Sequence, residues 1–189
     1  MADKILWESD LSKGLARARS EGKPVLLDFF DPNCIGCQQM GAVTYPDSKD
    51  VEFINASLVP IRLPSDAQPY AADYKVKWTP NLIVLDQDGK EHHRSMGFLS
   101  PEELIPFLML GMAKVYFDHD DFANALVLLE KVLEEYPKRE AAPEALYLRG
   151  VTLYKTTGDA WKLKQAYDEL ASCYPESEWL KKASPYAFL

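Results

Sequence analysis

Lys23 to Met40 reads KPVLLDFFDPNCIGCQQM, an apolar run that leads into two cysteines. Val25, Leu26, Leu27, Phe29 and Phe30 leave almost no polar face, so Lys23 to Phe30 reads as a buried strand. Asp28 is the exception within that run. Cys34 and Cys37 stand one helical turn apart, which lets their sulfurs meet. A strand that feeds a Cys-x-x-C at the start of a helix is the pattern of a dithiol redox site, provided a β-α-β unit surrounds it.

The flanking sequence supplies that unit. Leu11 to Glu21 predicts a helix with Leu11, Leu15 and Ala18 on one face, Asp10 as its cap and Gly22 as its stop. After the cysteines come a short helix near Asp50 to Asn55 and a second apolar strand, Leu58 to Leu63. A short helix around Tyr70 to Tyr74 precedes a strand from Asn81 to Asp86. The turn signal Gln87-Asp88-Gly89 joins it to Lys90 to Met96 as an antiparallel hairpin. Ser100-Pro101-Glu102-Glu103 then opens another helix with a cap, a first-turn proline and acidic residues against the dipole. Pro106 inside that helix predicts a kink or break near Ile105 to Phe107.

From about Met109 the strands stop and the chain repeats itself at 38 residues: Leu110 returns as Leu148, Tyr116 as Tyr154, Asp121 as Asp159, Val132 as Leu170, and Tyr136-Pro137 as Tyr174-Pro175. Each unit reads as two amphipathic helices, with Ala125, Leu129 and Val132 inward. The aromatic positions Tyr116, Tyr136, Tyr154 and Tyr174 fall on the inward stripe and are assigned to core packing. The segment from Trp179 to Leu189 is rich in apolar residues and reads as a cap on the array. The expected domains are 1–107 and 108–189, joined without a Gly/Ser or Pro-rich linker, and the junction is expected to be rigid.

The net charge of −8, with no cluster of Lys or Arg, argues against nucleic acid or an anionic membrane surface as a partner. Three cysteines are too few and too odd in number for a secreted disulfide framework. The N-terminus MADKILWESD has no apolar run of signal-peptide length, and no stretch is long enough to span a membrane. The sequence as it stands is expected to be cytoplasmic, or periplasmic if a signal peptide has been removed.

The attacking species in disulfide exchange is a thiolate, and Cys34 at a helix N-terminus is placed to be stabilised in that form. Cys34 is therefore the expected nucleophile and Cys37, one turn deeper, the resolving thiol. Desolvation in an apolar strand raises the pKa of Asp28 enough for it to accept a proton, and it is assigned as proton relay for Cys37. Zinc binding by the pair would need four ligands, and no second Cys-x-x-C or Cys-x-x-His exists. A core carboxylate satisfied by backbone donors is the alternative role for Asp28.

With these residues in view, positions 5 to 108 resemble the thioredoxin superfamily. The EGKPVLLDFF entry, the Cys-x-x-C and the later WTPNLIVLDQDGK look most like thioredoxin-related domains of the disulfide-interchange kind. The resemblance implies an α/β thioredoxin fold with a central mixed sheet flanked by helices. It implies that Pro80 is cis and faces the cysteines, and that Trp78, Thr79, Pro80 and Gly97 form the substrate groove. Asn33 stands where the family usually has an aromatic residue, and Ile35-Gly36 lacks the proline common before the second cysteine. Residues 108 to about 180 resemble tetratricopeptide units, an all-α helical-hairpin repeat, and YPKREAAPEALYLRG is similar to units of bacterial cell-envelope assembly proteins. That likeness implies a concave face for a peptide or protein partner that includes Lys114, Tyr147 and Lys155.

His92 and His93 are neighbours in a strand, face opposite sides and read as solvated residues. Cys173 aligns with Glu135, outside the inward stripe, and is expected to be exposed and incidental. The expected function is thiol:disulfide exchange, with reduction of protein disulfide clients by an upstream reductant. No cofactor or metal is expected beyond a redox-active Cys34–Cys37 disulfide, and the helical repeats are expected to bind a client or mediate self-association. A redox-inactive adaptor built on the same fold is the alternative. A thiol peroxidase would need an activating Arg and Thr or Ser beside the nucleophile, which Asp31-Pro32-Asn33 does not supply.

Overall fold

The computed structural model describes residues 4–189. Four strands form one mixed sheet in the order β2-β1-β3-β4, with β1 at Val25–Phe30, β2 at Val59–Pro64, β3 at Asn81–Leu85 and β4 at Glu91–Met96. β1 pairs parallel with β2 and antiparallel with β3, and β3 pairs antiparallel with β4. The helix α1, Leu11–Glu21, begins where the Asp10 carboxylate accepts the Lys13 N–H at 2.7 Å and ends at Gly22, whose φ of 65° is left-handed. Side chains alternate across β1, so Val25, Leu27 and Phe29 join one core with Leu11, Ala18, Ile61, Ile83 and Ala71. Leu26 and Asp28 point to the other face.

That second face carries the cysteines. α2, Ile35–Gln39, runs directly into a π turn at Met40–Thr44, and α3 follows at Ser48–Ser57, capped by Asp47. α4 is a single turn, Tyr70–Asp73, ahead of β3.

α5 extends from Pro101 to Asp118 as one helix, so of the kink or break expected near Pro106 the break does not occur. Leu104, Ile105, Phe107 and Leu108 are all buried around it. Burying each such side chain is worth about 1.5–3 kcal/mol, and together they exceed the roughly 3 kcal/mol cost of an internal proline.

His92 and His93 are not solvated. The ladder pairs Val84 with His93 and Leu85 with Glu91, which leaves His92 as the extra residue of a bulge. Its Nε2 lies 3.0 Å from Asp86 Oδ2, with both side chains buried. The His93 ring stacks on Phe107 at a centroid distance of 4.6 Å.

The chain divides into two compact units, one ending at Gly111 and the other comprising Met112–Leu189. The division falls inside α5. The second unit is all helix: α6 at Phe122–Glu135, α7 at Ala141–Thr157, α8 at Trp161–Cys173 and α9 at Glu178–Ala183, followed by a 3-10 turn. Ala125, Leu129 and Val132 are buried on α6, as the periodicity predicts. Tyr174 bridges the repeats by donating its hydroxyl to the Pro137 carbonyl at 2.7 Å. Tyr154, assigned to the core, is 40% exposed. The C-terminal segment does cap the array: Ala183, Trp179, Leu180 and Tyr186 pack with Leu146 and Leu170.

The three residues expected on a concave binding face are engaged within their own unit. Lys114 pairs with Glu144, Tyr147 packs on Trp179 and Tyr186, and the Lys155 ammonium lies over Phe117 and Phe122.

Candidate active site

Cys34 caps α2. Its Sγ accepts the Cys37 N–H at 3.2 Å and lies 3.2 Å from the Thr79 carbonyl oxygen. The thiol is half-buried, whereas Cys37 is 4% exposed. Burial pushes the Cys34 thiol up. Hydrogen bonds from the Cys37 and Thr79 side chains and from the Cys37 and Gly36 N–H groups outweigh it, and the thiol titrates below a free cysteine. Cys37 moves the other way, raised by burial and by its hydrogen bond to Cys34. The pair therefore consists of one accessible, activated sulfur and one buried, protonated sulfur.

The Asp31 carboxylate accepts the Asn33 N–H at 2.7 Å, which closes the loop before the cysteine. Gly36 permits close approach on the other side: a Cβ there would lie 2.9 Å from Pro80 Cδ and 3.9 Å from Cys34 Sγ.

The Thr79–Pro80 bond is cis, as the resemblance implies. Gly97, at φ 105°, donates its N–H to the Pro80 carbonyl at 2.8 Å and so joins the loop after β4 to the loop before β3. Asn81 is fully buried; its amide donates to the Trp78 carbonyl at 3.3 Å and accepts from Arg94 Nη1 at 3.0 Å. Arg94 also donates to the Tyr74 carbonyl at 2.9 Å. These two side chains brace the segment that touches Cys34, and the sequence reading did not single them out.

Ile35, Trp78 and Met96 are 83%, 70% and 62% exposed, and Phe98 is also exposed. They give the loops that meet at Cys34, Pro80 and Gly97 an apolar rim.

Asp28 is 1% exposed. Its Oδ2 accepts the Tyr45 hydroxyl at 2.9 Å and lies 3.0 Å from Arg62 Nε, while Oδ1 has no hydrogen-bond partner. The alternative of a carboxylate satisfied by backbone donors is thereby replaced by side-chain partners. Arg62 is the residue opposite Asp28 in the β1–β2 register. Its guanidinium lies 4.3 Å from the Phe30 ring centroid, 5.3 Å from Tyr45 and 5.8 Å from Trp7. Burial pushes the Asp28 carboxyl up to about 6, against the opposing pull of the Arg62 charge and the Tyr45 hydrogen bond. Asp28 makes no hydrogen bond to Cys37. Tyr45 stands between their influences: burial and the Asp28 charge, then more weakly Cys37, raise its pKa.

Residues 11–110 match the family model described as a thioredoxin-like domain. The chain belongs to the thioredoxin-like domain family. Residues 103–186, the helical part, match a second family model, YfiO, described as an outer membrane lipoprotein. This thioredoxin-like chain is 27% identical over 86 residues to the thiol:disulfide interchange protein DsbD of Pseudoalteromonas atlantica, a stretch that spans 43% of this chain and 14% of that relative. Among solved structures, a DsbH oxidoreductase is 28% identical, with 52% of this chain and 76% of that chain covered at a TM-score of 0.45. The oxidised C-terminal domain of Neisseria meningitidis DsbD is 20% identical, with 56% and 98% covered at a TM-score of 0.49. The cytoplasmic placement expected from the N-terminus finds no support in these likenesses. Among the described residues no helix is long and apolar enough to cross a membrane.

Proposed function

We propose that the protein is a thiol:disulfide oxidoreductase that reduces disulfides of protein clients. The observation that carries this reading is the asymmetry of the cysteines: Cys34 is accessible and held by two N–H groups beside the Thr79 carbonyl, and Cys37 is buried with a raised pKa. The Cys34 thiolate attacks a client sulfur, forming a mixed disulfide and releasing the client's other sulfur as a thiolate. Cys37 then loses its proton, with Asp28 as acceptor, and its sulfur attacks Cys34. The Cys34–Cys37 bond forms, the bond to the client breaks, and the client leaves as a dithiol. An upstream dithiol reductant regenerates the pair.

The client chain is held by the backbone of Thr79, Pro80 and Gly97, with Trp78 and the other exposed apolar side chains at the rim. Match to a helical-repeat family supports a protein-binding role for Met112–Leu189, which would raise the effective concentration of a client or second copy at the cysteines. Insulin disulfide reduction tests the reading. Cys34→Ser abolishes it and Cys37→Ser accumulates mixed disulfides; full activity in Cys34→Ser would overturn it.

A further inference from the structure

The exchange reading needs a proton acceptor for Cys37, and the groups around Asp28 determine which of its atoms can serve. From β2, Arg62 Nε lies 3.0 Å from Oδ2, and from the segment after the π turn the Tyr45 hydroxyl donates to that same oxygen at 2.9 Å. β3 places Leu82 in register with Asp28, and Cys37 of α2 acts through its charge on Tyr45. Oδ1 is buried with no partner. Arg62 Nε makes no hydrogen bond of its own and acts on Oδ2 through its charge. We infer that Tyr45 and Arg62 are positioning residues of the proton relay: the Tyr45 hydrogen bond and the Arg62 charge both fall on Oδ2 and leave Oδ1 as the atom that takes the proton from Cys37.

The two residues are themselves held. The Trp7 and Tyr45 rings pack in a T-shaped pair at a centroid distance of 5.1 Å, and the rings of Phe30, Tyr45 and Trp7 surround the Arg62 guanidinium. Tyr45 therefore serves twice, with its ring for Arg62 and with its hydroxyl for Asp28. In the resolving step the S–H bond of Cys37 breaks and its proton goes to Oδ1. The Cys37–Cys34 bond forms as the Cys34–client bond breaks, and the departing client thiolate takes up the proton that Asp28 then releases. An ionised Asp28 is the acceptor, so whatever raises its proton affinity slows the step at low pH only.

Tyr45→Phe removes the hydroxyl and keeps the ring. In the reduced protein, carboxyl-carbon NMR follows Asp28 directly. Its midpoint, near 6 in the wild type, moves up by about one pH unit in Tyr45→Phe and also moves up in Arg62→Met. Asp50, which also titrates high but through Asp47 and Glu102, stays in place. Resolution of a preformed mixed disulfide becomes about threefold slower at pH 6.5 and is unchanged at pH 8.5, following the ionised fraction. An unmoved Asp28 midpoint in both variants, or a slowing equal at both pH values, would overturn the assignment. If the wild type resolves no mixed disulfide, the exchange reading fails instead, and the NMR titration still decides the hold on Oδ2.

Discussion

Gly36 lies so close to Pro80 that a Cβ at position 36 would sit 2.9 Å from the proline Cδ. Real Cβ atoms do not approach carbon that closely, so any side chain there must push the cis-proline segment away from Cys34. Gly36→Ala should therefore destabilise the first unit by about 1–3 kcal/mol. It should also weaken the Thr79 contact that helps lower the Cys34 pKa, which slows alkylation of Cys34 at pH 7. Denaturant unfolding and iodoacetamide kinetics read the two effects.

Asp28 is an acid whose folded pKa, about 6, lies above its usual 3.8. The folded state binds the proton more tightly than the unfolded chain, so this group favours folding most below about pH 4. That contribution is lost as pH rises through 6, at a cost of about 3 kcal/mol. In Asp28→Asn the cost is absent. The stability of the variant relative to wild type should rise between pH 4 and pH 8, while its disulfide reduction falls. A pH-independent difference in urea midpoints would contradict the assignment.

Asp50 is a second buried carboxyl with a raised pKa, away from the cysteines. It is fully buried in α3 with neither carboxylate oxygen hydrogen-bonded, and burial, then Asp47 and Glu102, push it up to about 7. Asp50→Asn should stabilise the protein increasingly as pH rises from 4 through 7, and it should leave disulfide reduction unchanged. Paired melts and insulin assays check both.

Strands, caps and cysteines were legible because each rests on residues close in sequence. Val25 to Phe30 announces a buried strand, Asp10 and Gly22 bound α1, and the 38-residue repeat fixes the helical pairs. The setting of Asp28 was not, because Tyr45 and Arg62 reach it only through tertiary packing. One signal was available: Arg62 lies in an otherwise apolar run, and aligning that run with β1 sets it opposite Asp28. The bulge that buries His92 depends on β3 pairing, and the unbroken helix at Pro106 depends on burial of its neighbours. Periodicity on one strand or helix carries neither.

In the helical unit Gly150 permits α7 to meet α8, since a Cβ there would lie 2.4 Å from the Ala166 Cβ. Gly150→Leu should loosen α7 and α8 by about 1–3 kcal/mol, seen as faster amide exchange in those helices. Closure of the Cys34–Cys37 disulfide should be unaffected.

Trp78 is 70% exposed beside Thr79. Trp78→Ala should leave the melting temperature within about 2 °C, as expected of a surface change, and lower kcat/KM for insulin severalfold. An unchanged kcat/KM would remove Trp78 from the client surface.

Disulfide exchange at this site requires Cys34 and Cys37 to act as one reversible couple. Equilibrating the protein with defined ratios of reduced and oxidised glutathione, and resolving dithiol, mixed disulfide and closed disulfide by mass, tests this most directly. The expected result is a closed Cys34–Cys37 disulfide that forms and reopens at a single potential and is absent from Cys34→Ser. Persistence of the dithiol, or glutathione adducts that never close, at every ratio would contradict it.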